Sequence, residues 1–479
     1  MIFNFREYRF IYITVVAVLL LAASGKAKAQ GDTLTTLTFE QYFQLIIHHH
    51  PVARQAQLLS ERAQQDLRIA RGLLDPTINS YLSRKELDGK RYYNLWDNTL
   101  YIPTWFGADF HVGYERNLGD NVNQQVVTPS QGLGYAGITV PLGQGLIIDQ
   151  RRSAIRQARL LPDLAEAEQV IQINRLLLDA AREYWNWAYF YNRFLLHDQG
   201  FELASFRANA IREQVIQGDL AAIDSVEANI EVQTRHQLRR EAEVQFRNVT
   251  LSLSNFLWDE GEVPLELSEN VIPDMQGSEF VTITPDSLEQ LRMVASEAHP
   301  IIRTLDLRLQ QLDVERQFRA DRLKPRVNLT YQLLTRPQEL TEQNFGNGFL
   351  TNNYRYGVSL FFPIFLRQER GQLQLTKIEQ QQTTLSLQQN NREILNTIKI
   401  AYNDLQVYEN LITTQQEMVN NMQRLRDGEQ RRFEAGESSV FLINTREINL
   451  ITAQVRLQEL ISNYAIARTT LAWAAGKIY

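Results

Sequence analysis

Hydrophobic side chains recur at alternating spacings of three and four residues over two long stretches of the chain. Neither stretch, 163–263 or 364–479, contains a proline, and all 13 prolines of the chain lie at or before Pro363. Such spacing is typical of a coiled-coil seam. We therefore predict long paired helices in both stretches. In the second, the repeating positions include Leu387, Asn391, Ile394, Ile398, Ala401, Leu405, Tyr408 and Ile412, and later Leu450, Ala453, Leu457, Leu460, Tyr464, Ala467 and Leu471.

A single glycine in a polar setting interrupts each stretch, Gly218 in the first and Gly436 in the second. Glycine often ends a helix, so each stretch is predicted to be two antiparallel helices joined at a tip. The outgoing helices would span 151–217 and 367–435, which are 67 and 69 residues. At a rise of ~1.5 Å per residue, each would be about 100 Å long.

The segments that contain prolines alternate with a period of two, as strands do. Residues 99–116 place apolar side chains on one face and Asp109, His111 and Glu115 on the other. Residues 327–333 and 354–362 alternate in the same way, and residues 92–115 hold eight aromatic side chains in 24. Aromatic strands with one apolar face fit a lipid-facing band, and a soluble β-sandwich is the alternative. The predicted lipid-facing residues are Leu100, Ile102, Phe106, Phe110, Val112 and Tyr114.

Residues 1–29 are predicted to be a secretory signal peptide. Arg6 and Arg9 precede an apolar run from Ile11 to Ala23, and Ala27-Lys28-Ala29 offers a cleavage site. The alternative, a transmembrane anchor, needs ~20 apolar residues, and this run has 13. Cleavage would change the formal net charge from −6 to −9, which argues against a nucleic-acid partner. The chain has no cysteine, which excludes disulfides, thiolate metal sites and thiol nucleophiles.

Three features recur 249 residues apart and indicate an internal duplication. They are the capping-box starts at Thr38 and Ser287, the pairs His50-Pro51 and His299-Pro300, and the prolines that precede the first strands. The matching prolines after the last strands, Pro141 and Pro363, are 222 apart, so the first strand region carries 27 extra residues. We predict a first repeat over 30–261 with a β-hairpin region at 77–142, and a second over 286–479 with a β-hairpin at 326–363. An irregular joint, 262–285, would connect them. Each repeat would run helix, strands, long helix, tip and return helix.

Topology constrains the strand count, because a chain that leaves a helix for a membrane and returns to a helix needs an even number of crossings. The second half supplies two, whereas the first half has three strand-like pieces at 77–86, 97–116 and 134–142. One of the three must merge with a neighbour, lie outside the membrane or be doubled. Four strands cannot close a barrel, which needs about eight or more, so oligomerisation is expected.

The order and offsets of these duplicated motifs resemble the TolC family of outer-membrane channels, over residues 34–475. The resemblance implies an α+β membrane protein: a homotrimer with a 12-stranded β-barrel continuous with a 12-helix periplasmic α-barrel. It implies passive export from the outer membrane of a Gram-negative bacterium, with a periplasmic adaptor protein docked at the tips and an inner-membrane pump acting through it. The implied docking tips are Gln217, Gly218 and Asp219, and Ala435, Gly436 and Glu437.

The chain departs from this family near the tips. In the family, an acidic residue often stands six positions after each tip glycine and helps to constrict the periplasmic entrance. Asp224 holds that position in the first half, whereas Leu442 holds it in the second, and Thr445 stands where a further acid can occur. The gate candidates are therefore Asp224, Leu442, Thr445 and Arg446.

The sequence contains no complete enzyme motif or cofactor-binding motif. Gly436-Glu437-Ser438-Ser439-Val440 fails the nucleophile-elbow pattern, and the Gly143–Gly145 segment reads as a strand-to-helix hinge. His48, His49 and His50 point about 100° apart on a helix, so they are not expected to bind one metal ion. The class that competes with an export duct is a periplasmic coiled-coil adaptor or spacer, which leaves the aromatic strands unexplained.

Some polar residues have two readings. The polar seam residues Asn174, Asn391 and Gln415 either line a conduit or set the register between helices. The charged residues near the tips are expected to be a solvated face or part of the gate: Glu213, Arg431, Arg432, Arg446 and Glu447.

Overall fold

The computed structural model describes residues 35–268, 270–274, 283–336 and 352–478. The predicted signal peptide, part of the joint between the repeats and the loop of the second hairpin lie outside these residues. The helices are α1 Phe39–His49, α2 Pro51–Gly72, α3 Gln150–Ala158, α4 Leu161–Gln217, α5 Ala222–Ser254, α6 Pro285–Ala298, α7 Pro300–Asp321, α8 Arg367–Glu434 and α9 Val440–Ala474.

The long helices form two antiparallel pairs, α4 with α5 and α8 with α9. Helix α8 has 68 residues, which corresponds to about 100 Å. The single helix expected from Arg151 to Gln217 is wrong, because the structure divides it into α3 and α4. Pro162 explains the break: it lacks an N–H, and its ring conflicts with the carbonyl four residues earlier.

The helix starts show how the duplicated motifs act. Thr38 and Gln41 form the predicted capping box at α1. The capping-box start expected at Ser287 is wrong, because Thr284 caps α6 and Ser287 donates its backbone N–H to the Thr284 side chain. His50 and His299 cap α2 and α7, each accepting the backbone N–H two residues later on Nδ1. The two HisPro pairs therefore mark helix starts in both halves.

Among the described residues, two large hydrophobic cores and two smaller ones hold the helices together. One large core lies along α8 and α9 and includes Ile398, Leu405 and Leu460. The other large core packs α1 against α4 around buried aromatic rings, among them Tyr42, Tyr184 and Trp187. The Tyr184 hydroxyl donates to the carbonyl of Leu37 at 2.8 Å, next to a short parallel pairing of β1 (Thr35–Leu37) with the strand Val271–Pro273. These contacts tie the start of the first half to the joint between the halves.

Six strands form one antiparallel sheet beyond the ends of the short helices. They are β2 Thr77–Leu87, β3 Lys90–Pro103, β4 Asp109–Leu118, β5 Leu133–Pro141, β9 Arg326–Thr335 and β10 Tyr354–Phe361. Their order in the sheet is β10-β9-β5-β4-β3-β2. The remaining strands are short: β6 Trp258–Asp259, β7 Val263–Pro264 and β8 Val271–Pro273. Among the described residues, no helix is both long and apolar enough to cross a membrane.

The continuous strand expected over residues 99–116 is wrong, since a turn at 104–108 separates β3 from β4. Gly107, with φ of +99°, makes this turn possible. The piece at 97–116 is therefore two strands, so the described residues contribute four strands to the sheet from the first half and two from the second, an even number in each. In the part of the chain that the structure describes, six strands pair in one sheet, whereas a 12-stranded barrel built by three chains has four strands per chain.

Candidate functional site

The six-stranded sheet has one apolar face. In the β3–β4 pairing, Leu100 lies opposite Val112 and Ile102 opposite Phe110, so even-numbered residues of both strands share a face despite the turn. The registers of β5, β9 and β10 extend this face across the sheet. Five predicted lipid-facing residues, Leu100, Ile102, Phe110, Val112 and Tyr114, lie on it, and Phe106 lies in the turn. Further members are Ile78, Leu82, Trp96, Ile138, Val140, Leu329, Tyr331, Tyr356, Val358 and Leu360.

The opposite face of the sheet is polar and internally hydrogen-bonded. His111 contacts Thr139 at 2.9 Å, and Thr139 contacts Thr330 at 2.9 Å, a row that crosses three strands. Arg355 on β10 donates to Glu115 on β4 at 3.1 Å and lies over the ring of Tyr135. A sheet with one apolar face and one polar face suits a boundary between lipid and water.

The sheet joins the helices through a charged cluster at its base. Arg151 of α3 lies 3.0 Å from Asp109 and 3.3 Å from Asp149, and it donates to the Tyr101 hydroxyl at 3.0 Å. Asp321, at the end of α7, is buried and accepts the backbone N–H of Gly145 at 2.6 Å.

The Gly143–Gly145 segment connects β5 to α3, where the hinge was expected. A Cβ on Gly143 would come within 2.2 Å of the Pro325 carbonyl, so only glycine fits there.

Both tips have the same backbone geometry. Gly218 and Gly436 adopt φ values of +83° and +77°. The N–H of each glycine bonds to the carbonyl three residues earlier, and the N–H of the next residue bonds to the carbonyl five residues earlier. This pair of bonds is a Schellman motif, which ends a helix at a left-handed residue. Gln217 ends α4, Ala435 follows α8, and Asp219 and Glu437 complete the two motifs.

The predicted gate residues do not form one cluster. The Asp224 side chain caps its own helix by accepting the N–H of Ala221 at 3.1 Å. Arg446 lies 3.7 Å from the buried carboxylate of Glu429. Leu442 is partly exposed, and the Thr445 hydroxyl donates within its own helix to the Phe441 carbonyl.

A buried polar link that sequence reasoning missed joins the two coiled coils. Arg207 of α4 donates to Glu447 and Asn444 of α9 at 3.0 and 2.9 Å. Glu447 was expected either on a solvated face or in the gate, and its burial excludes the solvated face. The available signal was its position in the α9 seam, three residues before Leu450.

Two further polar sites have structural roles. Gln415 of α8 donates to the Ala453 carbonyl of α9 at 2.9 Å, which fits a register-setting role. Burial lowers the pKa of the His50 and His299 imidazoles, that of His299 to about 4.

Among the residues that the structure describes, no group of three or more His, Asp or Glu side chains is arranged to hold a metal ion.

Solved structures with the same architecture are outer-membrane channels. The chain aligns with the CmeC outer membrane channel of Campylobacter jejuni at 12% identity and a TM-score of 0.63, covering 91% of this chain and 85% of that one. It aligns with the open state of the MtrE outer membrane channel of Neisseria gonorrhoeae at 15% identity and a TM-score of 0.67, covering 92% and 89%. For the outer membrane protein VceC of Vibrio cholerae the values are 13%, 0.62, 92% and 96%. These likenesses show that this chain has the same fold as those channels.

The sequence itself matches one family. Residues 292–477 match the family model of the outer membrane efflux protein. The resemblance to TolC-family channels drawn from the duplicated motifs is thereby confirmed, by sequence over those residues and by fold over most of the chain. No curated protein matches the chain in sequence.

Proposed function

We propose that this protein is a passive exit duct in the outer membrane of a Gram-negative bacterium. It would act as a homotrimer in a tripartite efflux or type I secretion system. An inner-membrane pump would supply the energy, and a periplasmic adaptor would join pump and duct. The observation that carries the proposal is the six-stranded sheet with one apolar face, attached to two long helical pairs that end in matching tips.

The sheet supports membrane insertion. On the apolar face, Ile78, Tyr356 and Leu360 are each at least two-thirds exposed in the single chain. A continuous exposed apolar surface of this extent is costly in water and marks a surface that is normally covered. Strands β3 to β5, β9 and β10 have 8 to 14 residues, close to the ~9–11 that span a bilayer.

The helices support assembly with further copies of the chain. Helix α5 carries exposed Ile223, Ile230, Val244 and Leu251, all separated by multiples of seven residues. Helix α8 carries a second exposed stripe of Ile400, Val407, Leu411, Met418 and Leu425. A heptad stripe of this kind is a seam for another helix. Because none of the residues that the structure describes covers either stripe, a neighbouring copy is the natural occupant.

The tips support docking of an adaptor. Exposed apolar side chains flank the tip glycines, Ile216 beside Gly218 and Phe441 beyond Gly436. In the trimer, the tips would be the end of the molecule farthest from the membrane. The adaptor would therefore meet the residues 217–219 and 435–437 first.

The competing function is a periplasmic coiled-coil spacer without a pore. A spacer accounts for the helices but gives no reason for an exposed apolar sheet face.

The experiment that distinguishes the duct from the spacer uses the full chain purified from membranes. We expect a trimer that needs detergent to stay in solution and that produces discrete conductance steps in planar lipid bilayers. A protein that stays monodisperse without detergent and never conducts would support the spacer.

A further inference from the structure

Among the described residues, neither edge strand of the sheet, β2 or β10, has a partner on its outer side. Every residue of β10 is exposed, and so are all residues of β2 except one. The four strands between them are mostly covered on at least one side. An open edge presents unpaired N–H and C=O groups, which lipid cannot hydrogen-bond. If the sheet lies in a membrane, β2 and β10 must each pair with another strand.

The strand directions allow this pairing with further copies of the same chain. Strand β2 follows α2 and runs away from the helices, whereas β10 precedes α8 and runs back towards them. The six strands alternate in direction from one edge of the sheet to the other. The β10 edge of one chain is therefore antiparallel to the β2 edge of the next. The apolar faces also match, since even-numbered residues of both strands belong to the lipid side.

We propose that three copies of this chain close an 18-stranded barrel, in which β2 of each copy pairs with β10 of its neighbour. The proposal rests on the trimeric membrane duct argued above, and it sets this chain apart from the 12-stranded barrel that its family resemblance implies. The added strands arise where the sequence carries 27 extra residues, in the first strand region.

The contacts at the base hold the added hairpin in the sheet. The turn between β3 and β4 is fixed to α3 from both sides: Arg151 bonds to Tyr101 and Asp109, and Arg152 donates to the Phe106 carbonyl. Ten residues of β3 pair with β4, and eleven pairs join β2 to β3. A hairpin anchored in this way is held in register with the rest of the sheet, which favours its inclusion in the barrel wall.

The strand number sets the width of the outlet. At an interstrand spacing of ~4.8 Å and a tilt of ~40°, an 18-stranded barrel is about 36 Å across between backbones, against about 24 Å for 12 strands. Barrels of 16–18 strands leave an aqueous channel. Such an outlet would not limit the size of the exported cargo, so size selection would fall to the tips. The outlet itself therefore admits water-borne cargo whatever its size, up to the width of the barrel.

Engineered cysteines test the edge pairing, because the natural chain contains none. One set of variants combines Ser80→Cys or Leu82→Cys on β2 with Tyr356→Cys or Val358→Cys on β10. The matched control set combines Val112→Cys or Tyr114→Cys on β4 with the same β10 positions. All six positions lie on the lipid side of the sheet. The full-length trimer is oxidised in the membrane and analysed by non-reducing gel electrophoresis.

We expect at least one β2–β10 combination to give covalently linked trimers, and the β4–β10 combinations to give none. Linkage through β4 would mean that four strands per chain close the barrel, which overturns the inference and leaves the duct intact. The inference also fails if an intact, conducting trimer shows no linkage through β2. A protein without a detergent-dependent trimer would overturn the proposed duct itself. Electron cryomicroscopy of the trimer counts the strands directly, with 18 expected.

Discussion

Arg207 on α4 and Glu447 on α9 form an ion pair between the two coiled coils, and it is almost fully buried. The two side chains are 12% and 5% exposed, and Asn444 accepts a further hydrogen bond from Arg207. The partners are 240 residues apart in the chain. The pair therefore locks the first half of the molecule to the second near the tips.

Removing one partner of this ion pair is expected to loosen the tips. Glu447→Ala leaves a buried guanidinium without its carboxylate, and such losses cost about 3–5 kcal/mol. The effect is measured by the rate of backbone amide hydrogen exchange, which should increase strongly near Arg207 and in the tip segments. Glu459→Ala is the matched control, because its pair with Arg456 is about half exposed and should contribute less than about 1 kcal/mol. Equal acceleration in both variants would contradict a locking role.

The apolar face of the sheet predicts a sharp contrast between neighbouring positions. Val112→Arg places a charge on the lipid side and should cost about 2–4 kcal/mol if it lies near the bilayer midplane. Asn79→Arg is the matched control, since Asn79 lies on the polar face at nearly the same level of the sheet. Asp109→Arg is a poor control because it would break the ion pair with Arg151. The yield of assembled trimer in the membrane is the measurement, and similar yields for the two variants would count against the lipid-facing assignment.

The strand faces were predictable from the sequence, whereas the strand count was not. The alternation of residues 99–116 continues through the turn, with Thr104, Phe106 and Ala108 in phase with both flanking strands. Because the hairpin pairs even residues with even residues, the face is the same whether one strand or two are assumed. Only Pro103 and Gly107 mark the turn. The pairing partners of each strand decide the count, and they are not encoded in a local pattern.

The same difference between local patterns and long-range contacts applies to the tips and the gate candidates. The tip glycines were predictable because their left-handed backbone is a local requirement that favours glycine. The partners of Glu447 and Arg446 depend on which helices lie side by side near the tips. A seam position was the only local sign that Glu447 is buried, and nothing in the sequence around Asp224 distinguishes a cap from a gate.

Substitution of the tip glycine should destabilise the turn through backbone conformation alone. A side chain at Gly436 has open space within 4 Å, so only its positive φ opposes a Cβ, by about 1–2 kcal/mol. Gly436→Ala should therefore lower the stability of the tip, and Gly436→Val should lower it further and abolish cross-linking to the adaptor without dispersing the trimer.

Gly428→Ala provides the control for the tip. Gly428 lies inside α8 with equal space around it, and alanine there should stabilise the helix by about 0.5–1 kcal/mol. Proteolysis at residues 435–437 reports tip opening, with faster cleavage expected for Gly436→Ala than for the natural chain and no increase for Gly428→Ala. Unchanged adaptor cross-linking in Gly436→Val would contradict the assignment of this tip as a docking site.

The His299 cap predicts a pH dependence of stability with a definite sign. Its Nδ1 accepts the N–H of Ile301, which requires the neutral ring, and burial lowers its pKa from 6.5 to about 4. The contribution is complete above pH 6.5, where the unfolded chain is also neutral, and it declines as the pH falls toward 4 because the unfolded chain takes up the proton first. The full loss corresponds to about 3 kcal/mol. His299→Asn keeps a capping side chain but cannot titrate, so its unfolding midpoint should fall less between pH 7 and pH 4.5 than that of the natural protein. Denaturant unfolding of the detergent-solubilised trimer at both pH values measures the difference. The same pH dependence in both proteins would show that carboxylates elsewhere account for the acid sensitivity and that the cap contributes nothing to it.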